Sequence, residues 1–160
     1  MAWLYLVILL LLAAGLWAAY RVLGTPSRLA PRDYNVVLAD VATTVERSAA
    51  RLRRALEAGP TASLEGEASA ARKIFQTGYY QTLRLRPSSG PDAAAAARAT
   101  LGRACEAYDW ASRILGSESV RNPILLDAAR RLLDAGDAAL RQAGQELPPV
   151  PAAPGESSAP

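Results

Sequence analysis

Between Asp33 and Leu147 apolar residues return at steps of three and four, or their sum of seven, in four runs, each closed by glycine or proline. Steps of three and four keep one face of a helix apolar, whereas a half-buried strand needs a step of two. The pattern therefore predicts amphipathic helices. The first run extends from about Asp33 to Ala58, with Tyr34, Leu38, Val41, Val45, Leu52 and Leu56 on one face and Gly59-Pro60 as the stop. Asp33 is the expected cap. The second extends from about Thr61, a suitable N-cap, to Leu85. Its seam is Leu64, Ala68, Ala71, Phe75, Gly78, Thr82 and Leu85. The third is expected from Pro91 to Leu115, because proline suits the first helical position and Asp92 the positive end of the dipole. Ala94, Ala97, Leu101, Ala104, Tyr108, Ala111 and Leu115 form its seam. The fourth opens on Asn122-Pro123 and carries Leu125, Ala129, Leu132, Leu133, Leu140 and Ala143 up to Leu147, with Gly136 as a weak point.

Composition agrees. There are 34 alanines, and only 6% of residues are aromatic. Alanine favours helix and lets helices approach closely, but each buried alanine contributes far less than a buried leucine. The expected fold is all-α: an antiparallel bundle of about four helices over 33–147 with a thin core. A linker, 21–32, containing Gly24-Thr25-Pro26-Ser27, precedes it. A tail, 148–160, rich in proline, alanine and serine, is expected to be disordered.

Ahead of the linker, Ala2 to Tyr20 holds no charge. Nineteen helical residues span roughly 28 Å, close to the hydrocarbon thickness of a bilayer. Trp3 and Tyr5 mark one end, and Trp17, Tyr20 and Arg21 the other, as interfacial belts require. A cleaved signal peptide fits less well: no basic residue precedes the run, and the only small-x-small match, Ala13-Ala14-Gly15, lies inside it. Residues 1–20 are read as a single transmembrane anchor. Arg21, Arg28 and Arg32 follow it, so the positive-inside rule puts the N-terminus outside and the helical domain in the cytoplasm. The 17 arginines against one lysine point to a bacterial-type sequence, hence an inner membrane.

The chain has no histidine and one cysteine. Ser-His-Asp and Cys-His catalysis, histidine-based or four-cysteine zinc sites, and a disulfide framework are excluded. No phosphate-binding glycine loop or nucleophile elbow occurs. Cys105, beside the third seam, reads as a small buried hydrophobe. The carboxylates of the last two helices pair with arginines four residues on (Asp109–Arg113, Asp127–Arg131 and Asp137–Arg141), which favours surface ion pairs over a cation site. No cofactor, metal or small-molecule substrate is expected.

Two surfaces remain as candidates. Tyr80 and Trp110 fall outside their seams, and with Arg72 and Lys73 they form the expected partner interface. Arg47, Arg51, Arg53 and Arg54 crowd one helix and offer contact with an anionic surface. Residues 21–86 carry a balance of +5, against −2 from residue 87 onward. No recognised nucleic-acid motif supports nucleic acid over lipid there. The expected function is that of a non-enzymatic interaction module, an accessory or scaffold subunit held at the lipid bilayer for another membrane-associated protein or for self-association.

Overall fold

The structure, a computed structural model, describes residues 28–59, 62–117 and 122–148, together with the isolated positions 3 and 12. Four helices make up the domain: α1 (Pro31–Glu57), α2 (Ala62–Arg84), α3 (Ala95–Leu115) and α4 (Pro123–Glu146). Two short strands, β1 (Arg28–Leu29) and β2 (Arg86–Pro87), pair in parallel, Arg28 beside Arg86 and Leu29 beside Pro87. The chain folds as a helical bundle, and the first three seams are buried at every position named above.

The ends of the helices differ from expectation for local reasons. α1 begins at Pro31, with Ala30 at the cap position and no side-chain cap bond, so Asp33 sits in the first turn instead of capping. Pro31 has no N–H to satisfy there and arrives with its φ already helical. The expected linker therefore ends earlier: Arg28–Leu29 belongs to the bridge, and Pro31 and Arg32 to α1. α3 begins at Ala95, not Pro91. Gly90 takes a positive φ of 76°, and Asp92, expected to start the helix, is drawn sideways by Tyr34 and Arg98. Asn122 does cap α4, its side chain accepting from the Ile124 N–H. Thr61 lies outside the described residues.

α3 packs most extensively on α4, then on α2, while α1 packs on α2 and touches α4 sparsely. The alanine seams explain the first contact. Gly136 of α4 lies against the ring of Tyr108 so closely that a Cβ at position 136 would fall 2.5 Å from Cε1. The ring in turn stacks on Phe75 of α2, centroids 5.1 Å apart. On α4, Leu125, Leu132 and Leu140 are only half-buried, and Leu140 lines a groove of about 600 Å³ between α1 and α4.

Among the described residues no helix is long and apolar enough to cross a membrane. The apolar run from Ala2 to Tyr20, except Trp3 and Leu12, lies outside the described residues, as do Arg21 and the tail beyond residue 148.

Candidate functional site

Tyr80 is 62% and Trp110 52% exposed, so both point outward. What joins α2 and α3 on this side is a carboxylate. Asp109 pairs with Arg113 at 2.9 Å and lies 3.6 Å from Arg72 on α2, and it accepts from the Gln76 amide at 3.2 Å. The Arg113 guanidinium lies 4.9 Å from the Trp110 ring centroid, in cation–π range. Tyr80 lies one helical turn beyond Gln76 and meets Tyr79 edge-on. Leu83, three residues further and on the same side of the helix, is 51% exposed. Arg72 and Trp110 are thus connected through Asp109 and Arg113.

Lys73 belongs elsewhere. It lines a shallow groove of about 350 Å³ between α1 and α2, with Val37, Val41 and Ile74. Arg113 and Leu83 lie beside Trp110 and Tyr80 without being part of the expected interface. The three-residue spacing of Trp110 and Arg113 was the available signal for the first. For Leu83 the signal was its place outside the seam, directly after Thr82, the same signal that marks Tyr80.

The arginine group of α1 also divides. Arg47, Arg51 and Arg54 are exposed, with Arg51 3.9 Å from Glu67. Arg53 turns to α4, donating to Asp137 at 2.6 Å and Asp134 at 2.9 Å. It is therefore spent on a helix–helix contact and withdrawn from the anionic-surface set. Asp137 also accepts from the Tyr108 hydroxyl at 2.6 Å. That double use corrects the expected Asp137–Arg141 pair, which does not form, whereas Asp109–Arg113 and Asp127–Arg131 do. Burial, reinforced by the bond to Asp137, pushes the Tyr108 hydroxyl pKa up, so it stays protonated as a donor.

A second polar group sits where α1 and α3 begin. Arg98 donates to the Tyr34 hydroxyl at 3.0 Å, to Asp92 at 2.9 Å and to the Thr82 carbonyl at 3.1 Å. Tyr34 donates to the other Asp92 oxygen at 3.0 Å. Every member of this network is satisfied, which suits a structural clamp and leaves no free acid or base.

Cys105 is fully buried, and burial pushes its thiol up to about 12. It holds no thiolate at neutral pH, the form that nucleophilic attack needs. Among the described residues no three histidine, cysteine, aspartate or glutamate side chains gather as a metal site. No family model, curated protein or solved structure matches the chain.

Proposed function

We propose that this chain is a membrane-anchored, non-enzymatic helical interaction module, an accessory or scaffold subunit of a membrane-associated assembly. The observation that carries it is the exposure of three large apolar side chains, two on α2 and one on α3. Tyr80, Leu83 and Trp110 stand in water while much of the core is built from alanine. Large exposed aromatics beside arginine are the residue types that dominate interface energetics. The anchor at residues 1–20 is part of the proposal and rests on length, the absence of charge and the aromatic flanks of Ala2–Tyr20. An anchor raises the effective concentration of the module for a partner in the same membrane.

The test is purification of the tagged full-length protein in mild detergent, followed by mass spectrometry. A stoichiometric membrane-associated partner, or a second copy of the chain, is expected. It should be lost in Trp110→Ala and Tyr80→Ala, with helicity unchanged. A wild-type protein that purifies alone as a monomer would sink the proposal. An alternative is a membrane-surface binder using the three exposed arginines of α1 on anionic lipid or nucleic acid, which their shared face favours. Salt-sensitive vesicle binding that disappears on removing Arg47, Arg51 and Arg54 would favour that alternative.

A further inference from the structure

One end of the bundle, where α1 and α3 start and α2 and α4 finish, gathers arginines from separate parts of the chain. Arg28 comes from β1, Arg32 from the first turn of α1, Arg84 from the last turn of α2 and Arg86 from β2. All four are exposed. The bridge sets Arg28 and Arg86 at the same register on strands only about 4.8 Å apart, where like charges repel. Among the described residues none of the four enters an ion pair. The carboxylates at this end are largely occupied. Asp92 is held by Tyr34 and Arg98. Glu146 accepts from Thr100 and Gln142, with Arg103 on the same Thr100 hydroxyl. Exposed Asp33 is left against four arginines.

We infer that this arginine end seats on the anionic phospholipid surface of a bilayer, with headgroup phosphates facing Arg28, Arg32, Arg84 and Arg86. The inference rests on the anchor reading above and adds the orientation of the bundle. Charge complementarity is one argument, since phosphates relieve the repulsion that the bridge creates. Chain continuity is the other. The uncharged run ends at Tyr20, and the seven residues 21–27 span at most roughly 25 Å. The end that carries Arg28 is therefore the end nearest the interface. The side face of α1 is a different surface. Arg47 lies roughly 22 Å along the helix from Arg32, more than two screening lengths of about 8 Å. The two arginine sets thus report two different orientations.

The test places the full-length protein in lipid nanodiscs of phosphatidylcholine alone, or with phosphatidylglycerol added, and follows amide hydrogen exchange. Amides of 28–34 and 84–92 should slow by about fivefold in the anionic discs only. The effect should vanish in 1 M salt, where the screening length is about 3 Å. It should also vanish in R28Q/R32Q/R84Q/R86Q and persist in R47Q/R51Q/R54Q. Should the fourfold variant lose helicity, the comparison of the two lipids with the wild-type chain still decides. Equal exchange in both discs by an inserted protein overturns the seating alone, as does protection at 47–54 instead. Protection of the same amides by a single-stranded oligonucleotide, but not by anionic discs, reassigns the end to nucleic acid. Protein stripped from membranes by alkaline carbonate overturns the anchor, and the inference with it.

Discussion

Tyr108 makes contacts on three sides that few single residues combine. Its ring stacks on Phe75, its edge lies over Gly136, and its hydroxyl donates to Asp137. Gly136 is costly as a mid-helix residue, about 1 kcal/mol relative to alanine. The close approach of the ring accounts for its presence. Gly136→Ala should therefore destabilise despite better helix propensity, by about 1–3 kcal/mol, the range for overpacking a core. Urea denaturation of the two proteins checks it, and a gain in stability would show that the ring yields freely. Cys105, on the same helix, gives a pH prediction. Its folded pKa is raised to about 12 from an ordinary value of 9.0, so the unfolded chain loses this proton first as pH rises. The contribution of the neutral thiol is complete below about pH 9 and is lost as pH climbs toward 12. The stability difference between wild type and Cys105→Ala should accordingly narrow between pH 8 and pH 11. The buried tyrosines titrate in both proteins and largely cancel from the difference. A constant gap over that range would refute the assignment.

At the scale of elements, α4 shows how a start signal works in isolation. Asn122 accepts from Ile124 N–H, and Pro123 occupies the position where a missing N–H costs nothing. Asn122→Ala should cost about 1 kcal/mol, with Asn122→Asp nearly neutral, measured by thermal unfolding. A silent alanine variant would mean that packing alone fixes this end. The same reasoning separates what was legible in the chain from what was not. Seams with steps of three and four identify the helices and their buried faces because burial follows the period of the helix itself. Tyr108 and Phe75 were therefore placed from spacing alone. The start of α3 was not, because Asp92 had two uses, and its long-range bonds to Tyr34 and Arg98 outweighed a local cap. The β1–β2 bridge was illegible for a related reason: two residues carry no period. At Asp137 the i, i+4 rule fails similarly, since it compares only neighbours on one helix. Arg53 and Tyr108 reach it from two other helices. Of the partner interface, exposure of Tyr80 and Trp110 was readable. The Asp109–Arg113 link to Arg72, and the departure of Lys73 to the α1 side, depended on how α2 turns about its axis.

For the whole molecule, the uneven packing predicts the order in which the bundle opens. α3 is enclosed by α2 and α4, whereas α1 rests on α2 and meets α4 across a groove. Two polar clamps hold α1 to the later helices. Tyr34 binds Asp92 and Arg98 at its start, and Arg53 binds Asp134 and Asp137 near its end. Burial disfavours the charge on Arg53, and Asp134 and Asp137 more than offset that, so its pKa rises. The pair with Asp137 is half-sheltered, while the Asp134 side chain is 71% exposed. The shelter makes the first contact the stronger one, because exposed pairs are worth little. Arg53→Ala should cost about 1–2 kcal/mol and Asp134→Ala under about 0.5 kcal/mol. The more specific outcome is spatial. Without the Arg53 clamp, amide exchange in the second half of α1 should accelerate while the slowest amides of α3 change no more than global stability requires. If α3 accelerates by the same factor as α1, the helix is not a separable opening unit. If only α1 responds, its opening widens the groove toward α4 and leaves the Tyr80–Trp110 surface on α2 and α3 in place. A partner held on that surface would then bind as well after the Arg53 change as before it, which ties stability and interaction to different parts of one small bundle.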